Sequence, residues 1–167
     1  MKKILFLLFV GASMMMSQKG NAQDYKTAVG LRFGYPTSLS AKKFLSENNA
    51  VEGILGFRSF SGYSYISASA LYLIHKPIES VEGLKWYFGG GGRVNLFSFK
   101  DNFVGDNSSS LGIGIVGALG LDYRFKDLPI NVSVDWLPVF SITGFGNGFG
   151  ADGGALSVRY ILGEGKK

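Results

Sequence analysis

Apolar and polar residues alternate along most of this chain with a period of two. Over 25–35 one face carries Thr27, Val29, Leu31, Phe33 and Tyr35, and the other Ala28, Gly30, Arg32 and Gly34. Over 84–97 Trp86, Phe88, Val94 and Leu96 stand with Gly90 and Gly92 against Lys85, Tyr87, Gly89, Gly91, Arg93 and Asn95. The clearest case is 111–125, where Leu111, Ile113, Ile115, Leu119, Leu121, Tyr123 and Phe125 oppose Gly112, Gly114, Val116, Ala118, Gly120, Asp122 and Arg124. Residues 130–140 and 154–162 repeat the pattern. Period two is the signature of a strand with two unlike faces. Three weaker strands, over 38–45, 50–60 and 64–75, bring the expected number to eight. Short joints rich in Pro, Asn, Ser, Asp and Gly separate them. Two longer joints, 98–110 and 142–153, interrupt that rhythm.

The two faces differ in size as much as in polarity. The polar face is largely glycine, alanine and serine with a few charges, which is a face short of room. The apolar face is large, β-branched or aromatic. A soluble barrel hides its apolar face and a membrane barrel reverses this. The expectation is therefore an all-β, eight-stranded antiparallel up-and-down transmembrane β-barrel with a narrow lumen filled by side chains. With both termini on the periplasmic side, Tyr25, Trp86, Tyr123, Phe125 and Tyr160 fall near one rim. Tyr35, Phe60, Phe97 and Phe140 fall near the other, giving two aromatic girdles. Pro138 fits a bulge near a rim. A secreted soluble ligand-binding barrel is the competing architecture.

Residues 1–22 do not belong to that pattern. Lys2 and Lys3 precede an unbroken apolar run from Ile4 to Val10, and Gly20-Asn21-Ala22 supplies small residues for cleavage. This reads as a secretory signal peptide, leaving residues 23–167 as a single barrel domain. The apolar run is too short for a spanning helix, which needs about 20 residues.

Composition sharpens the picture. The chain has 167 residues, 25 of them glycine, and no cysteine. Disulfide scaffolds and cysteine-ligated metal sites are thereby excluded. A formal charge of +5 and a pI near 9.4 suggest nucleic acid. Lys2, Lys3 and Lys19 leave with the signal peptide, however, and much of the remaining positive charge falls on the lumen face or in Lys166-Lys167. No single exposed basic patch is left, so nucleic acid is not an expected partner.

The charges on the inner face are Arg32, Lys42, Glu52, Arg58, Lys85, Arg93, Asp122, Arg124, Asp135 and Arg159. Charges withdrawn from water must be paired, so these are expected to form a salt-bridge and hydrogen-bond network that plugs the barrel. A narrow anion-preferring pore is the sharper alternative. Phe99, Phe103, Phe145 and Phe149 sit in or beside the long joints and are candidate contacts on exposed loops.

Two motifs are decoys. Gly112-Ile113-Gly114-Ile115-Val116-Gly117 matches a dinucleotide fingerprint, but period two continues through Ala118–Tyr123, where a helix should begin. Gly89–Gly92 lacks the Lys-Ser or Lys-Thr of a phosphate loop. His75, the one histidine, is expected at the periplasmic rim. A lipid-hydrolysing enzyme would want its catalytic group at the opposite rim, so no enzyme activity, cofactor or metal is expected.

The export signal, the amphipathic strands and the short turns look like the small OmpA/OmpX-type outer-membrane barrels. Three stretches carry a closer likeness: Leu45-Ser46-Glu47-Asn48-Asn49-Ala50-Val51-Glu52-Gly53, then His75-Lys76-Pro77 with Val81-Glu82-Gly83-Leu84-Lys85-Trp86-Tyr87, then Gly153-Gly154-Ala155-Leu156-Ser157-Val158-Arg159-Tyr160. Through them the chain resembles a small outer-membrane β-barrel family of Bacteroidetes bacteria. That resemblance implies a Gram-negative outer-membrane location and no catalytic residues. It also implies outer-membrane lipid as surroundings, and periplasmic chaperones and the barrel assembly machinery as partners during biogenesis. The loops leave room for an extracellular partner. One departure is the end of the chain, since such barrels usually finish on an aromatic residue. Here Tyr160-Ile161-Leu162 is followed by Gly163-Glu164-Gly165-Lys166-Lys167.

Overall fold

The computed structural model describes residues 25–59, 63–99, 109–144, 148–151 and 153–164. Ten strand segments follow one another: β1 (Tyr25–Gly34), β2 (Ser38–Phe44), β3 (Asn49–Ser59), β4 (Tyr63–Pro77), β5 (Leu84–Phe99), β6 (Ser109–Arg124), β7 (Ile130–Trp136), β8 (Val139–Thr143), β9 (Gly148–Gly150) and β10 (Gly154–Glu164). Every pairing is antiparallel, and the β5–β6 ladder closes the sheet on itself. β7 and β8 form one stave against β6, while β9 and β10 form the last stave, which returns to β1. The result is a closed eight-staved up-and-down barrel.

The stave boundaries follow the alternation read from the sequence, and the interruption at Leu137-Pro138 has a local cause. Proline has no N–H to give a ladder. Its carbonyl still accepts from Gly117 N at 2.8 Å, so register with β6 is kept across the gap. On the other side the last stave carries one extra residue. Trp136 faces Gly154 while Val139 faces Gly150. That is a bulge in the last stave opposite the proline.

The registers also fix the shape of the barrel. From Lys85, direct partners lead through Asp122, Ser133, Ser157, Arg32, Ser38, Gly56 and Ser67 to Asn95. One circuit thus returns to β5 ten residues further on. Eight staves with that stagger tilt by about 40° from the barrel axis and leave an interior that side chains fill.

Burial is inverted relative to a water-soluble domain. Leu31, Phe33, Leu55, Phe57, Ile115, Leu119, Val134 and Val158 face outward and are exposed. Arg32, Lys42, Glu52, Asp122, Asp135 and Arg159 point inward and are buried. The interior is less uniformly small than the sequence implied. Ile54, Leu71, Leu73, Tyr87, Val116, Ala118 and Leu137 cluster inside, and Ala28, Phe44, Ala50 and Ile161 form a second inner cluster. Phe97, expected in an outer girdle, also turns inward and is 9% exposed. It shares parity with Tyr87 and Arg93 on β5, so alternation places it in the lumen.

Candidate functional site

The polar centre of the lumen is built on Arg159 of β10, which is fully buried. Its Nη2 donates to Oε1 of Glu52 at 2.5 Å, and its Nε donates to Ser40 Oγ at 2.7 Å. Nη1 donates to Ser133 Oγ at 2.7 Å and to Asn131 Oδ1 at 3.3 Å. Ser40 Oγ in turn donates to Glu52 at 2.7 Å. Lys42 donates to Asp122 Oδ2 at 2.8 Å and lies 3.5 Å from Glu52 Oε2. The second oxygen of Asp122 accepts from Asn131 Nδ2. A guanidinium with its fork spread over four acceptors on three staves is a rigid cross-brace.

A second pair lies beside it. Arg32 Nη2 donates to Asp135 and to the carbonyl of Gly153, the latter at 3.1 Å. Tyr87 donates its hydroxyl to the other Asp135 oxygen at 2.8 Å. Tyr87, Gly120 and Asp135 are direct neighbours across β5, β6 and β7. A Cβ at Gly120 would stand 2.7 Å from both the Tyr87 ring and Asp135 Cβ. The glycine is what lets Tyr87 reach over the middle strand. The Tyr87 ring also lies 4.5 Å beneath the Lys42 ammonium, which joins the two groups.

Six of the ten inner charges therefore meet in one assembly of three cations and three carboxylates. The other four flank it. Arg58 stacks on the Tyr35 ring at 3.4 Å, and Arg93 Nε donates to Ser69 Oγ at 2.9 Å, both toward the end away from the termini. Lys85 donates to the Glu47 carbonyl at 3.3 Å near the terminal end. Arg124 stands at the same mouth, with Nε and Nη1 buried and without a hydrogen-bond partner among the described residues.

Apolar residues bracket the ionic assembly. Phe44, Ala50 and Ile161 each lie two positions toward the terminal end from Lys42, Glu52 and Arg159 on their own strands. Ile54 and Leu137 lie two positions the other way from Glu52 and Asp135. The charges thus occupy a buried layer between two apolar ones, where an unpaired charge is very costly.

His75 departs from expectation. It is not at the rim but fully buried, between the rings of Phe44 at 4.7 Å and Tyr87 at 4.9 Å. Leu71, Leu73 and His75 alternate inward on β4, and that parity carries the imidazole into the lumen. Its Nε2 is 3.5 Å from Asp122 Oδ2, and neither ring nitrogen makes a hydrogen bond. Nothing in the sequence marks the partners Ser40, Tyr87, Asn131 and Ser133 as site residues. Their common signal was inward parity on their strands. Of the loop aromatics, Phe149 lies in β9 opposite Phe140 and is exposed. Phe99 ends β5, while Phe103, Phe145 and the 1–22 segment lie outside the described residues.

The dinucleotide-like glycines 112, 114 and 117 all lie inside β6, and Gly89–Gly92 lie inside β5, so no loop forms at either. Among the described residues, no cluster of three or more metal-ligating side chains occurs.

No family model matches the chain, and no curated protein matches it. Among solved structures it is similar to the N-terminal β-barrel domain of Pseudomonas aeruginosa OprF. The TM-score is 0.60 at 14% identity, covering 80% of this chain and 93% of that one. It is also similar to Neisserial surface protein A (NspA), with TM-score 0.55 and 16% identity, covering 81% of this chain and 93% of that one. The fold is the eight-stranded antiparallel barrel of these two outer-membrane proteins. At 14% and 16% identity the likeness is one of fold.

Proposed function

We propose that the chain is an exported integral outer-membrane barrel of a Gram-negative, Bacteroidetes-type envelope. Its role is structural or interaction-based, with surface loops presented outside and a lumen closed by its own charges. The observation that carries this reading is the inversion of faces. Large apolar side chains cover the outside of a closed barrel while Arg32, Lys42, Glu52, Asp122, Asp135 and Arg159 are buried within. In water that arrangement would expose most of the apolar surface and desolvate six charges. In lipid the first cost disappears, and the buried charges are met by pairing with one another inside the lumen. The likeness of the fold to OprF and NspA supports the same reading.

Residues 1–22 serve as the export signal in this proposal. The termini then lie on the periplasmic side, and the end of β5 and the start of β6 lie on the outer side. The lumen does not conduct, because the ionic assembly fills its middle and apolar layers lie on either side. Membrane fractionation combined with heat-modifiable gel mobility tests location. Recovery of the folded protein from the soluble periplasm without detergent overturns it. Silence in planar bilayers is expected, and a steady anion-preferring current weakened by Arg93→Glu would replace the plug by the pore.

A lipid-modifying enzyme is disfavoured by His75. Its imidazole is buried behind Phe44 and Tyr87, and no serine hydroxyl bonds to it. His75→Ala is expected to leave the lipid A mass spectrum unchanged.

A further inference from the structure

We infer that the ionic assembly of the lumen is a proton-sensitive lock with His75 as its switch: an imidazolium takes Asp122 from Lys42 and so loosens the brace made by Arg159. His75 is fully buried between the rings of Phe44 and Tyr87, yet neither ring nitrogen makes a hydrogen bond. A buried polar group without a partner is costly, so this one requires an explanation.

The surroundings supply it. Asp122 Oδ2 lies 3.5 Å from His75 Nε2 and accepts from Lys42 Nζ at 2.8 Å. Two basic groups thus stand at one carboxylate oxygen, and while the imidazole is neutral only Lys42 is a cation. Lys42 has a second acceptor in place, since Glu52 Oε2 is 3.5 Å from the same Nζ. Glu52 Oε1 in turn accepts from Arg159 Nη2 at 2.5 Å and from Ser40 Oγ at 2.7 Å. A proton on His75 draws Asp122 to the ring, turns Lys42 toward Glu52, and through Glu52 reaches Arg159. The step adds one proton to the imidazole and breaks no covalent bond.

Charge decides its sign. With a neutral ring, Arg32, Lys42 and Arg159 match Asp135, Asp122 and Glu52 one for one. An imidazolium makes four cations against three carboxylates in a buried layer, which the fold resists. Among the described residues, the titratable and charged groups that face the ring are Lys42 of β2, Lys85 and Tyr87 of β5 and Asp122 of β6. Glu52 of β3 and Arg159 of β10 stand one contact further on, behind Lys42. Arg124 of β6 lies two residues past Asp122, toward the mouth, where the β4–β5 turn with Glu82 and Gly83 packs on it. In the unfolded chain the same imidazolium is hydrated and meets no surplus. The unfolded state therefore binds the proton more readily, and stability falls as pH falls through the imidazole range.

The test uses the full chain folded into phosphatidylcholine vesicles, whose headgroups keep their charge between pH 8 and pH 5.5. Urea unfolding is measured across that range for wild type and for His75→Phe, which keeps a ring between Phe44 and Tyr87. His75 is the one histidine in the chain, so the groups common to both proteins cancel in the comparison. The folding constant of wild type relative to His75→Phe should fall about threefold to tenfold from pH 8 to pH 5.5, the effect of a single proton. A second arm follows wild type by NMR in a zwitterionic detergent down to pH 5. There the Arg159 Nε–H resonance should move with the same midpoint as the His75 ring. Parallel pH profiles of the two proteins, or a wild type that gains stability in acid, overturns the inference. So does a His75 ring that stays neutral to pH 5, or an Arg159 resonance that stands still while the ring titrates. The NMR arm needs no variant, so it decides the matter should His75→Phe not fold. The inference rests on the lumen alone, and a barrel recovered from the soluble periplasm would sink the proposed location and leave this switch standing.

Discussion

Replacing Arg159 with Met isolates the cost of the ionic centre. Methionine fills the volume of the arginine stem and removes only the charged fork. Four acceptors lose their donor: Glu52 at 2.5 Å, Ser40 and Ser133 at 2.7 Å, and Asn131 at 3.3 Å. The two serine hydroxyls can turn to other acceptors, so their share is small. Glu52 dominates, because a carboxylate stranded in a buried layer costs about 3–5 kcal/mol. Lys42, 3.5 Å from its other oxygen, softens this, and the expected loss is about 3 kcal/mol. The pairing also dictates the rescue. Glu52→Leu in the same chain removes the stranded charge and leaves Lys42 with Asp122 and Arg32 with Asp135, one cation for each carboxylate. The double variant should therefore recover at least half of the loss. The measurement is reversible urea unfolding from phospholipid vesicles, followed by the fluorescence of Trp86 and Trp136. A single variant within about 1 kcal/mol of wild type, or a double variant no more stable than Arg159→Met alone, would refute the cross-brace argument.

Three further outcomes follow from the same geometry. Ile115→Arg, on the outward face of β6, should cost about 2–4 kcal/mol in a bilayer and cut the yield of heat-modifiable protein; a water-facing surface would accept it without loss. Tyr87→Phe removes the hydroxyl that Asp135 accepts and should lower stability by about 1–2 kcal/mol in the same urea assay, with the barrel still closing. Gly30→Val should prevent closure altogether. Its Cβ would overlap the Val158 carbonyl and stand 2.5 Å from Arg159 Cα, so β1 and β10 could not pair, and the compact band on unboiled gels should be absent.

Much of this molecule is legible from period two alone. Parity divides each strand into two faces, because a strand offers each side chain only two directions, residue size says which face turns inward, and Arg32, Lys42, Glu52, Asp122, Asp135 and Arg159 are buried on that face. What parity cannot supply is height. Lys42 and Asp122 are 80 residues apart, and Arg32 and Asp135 are 103 apart, so their meeting depends on the ten-residue stagger of the closed sheet. That stagger is written in no single strand. His75 shows the same limit, since a place near the end of β4 suggested a rim, but tilt sets it level with Phe44, Tyr87 and Asp122. Tyr87 and Asn131 are each unremarkable on their own strands. Their roles exist only through partners on others: Asp135 opposite Gly120 for Tyr87, and Asp122 for Asn131.

Stagger and charge together explain why the ions sit where they do. A tilted eight-staved barrel has too little room for a second layer of backbone and too much for glycine alone, so long side chains must cross it. Leu71, Leu73 and Val116 fill the middle and upper interior from β4 and β6, but no aliphatic chain spans from β10 to β3 as Arg159 does. Arginine and lysine have that reach, and each brought inside requires a carboxylate. Glu52, Asp122 and Asp135 supply one apiece, which fixes the number of cations the buried layer can hold at three. The remaining inner cations are displaced to where water or another partner can meet them: Arg58 and Arg93 toward one mouth, Lys85 and Arg124 toward the other. The positive charge that first suggested nucleic acid is thus, in good part, what a balanced core leaves at its two ends. Of those four residues, Arg124 is the one whose buried donors lack an acceptor among the described residues.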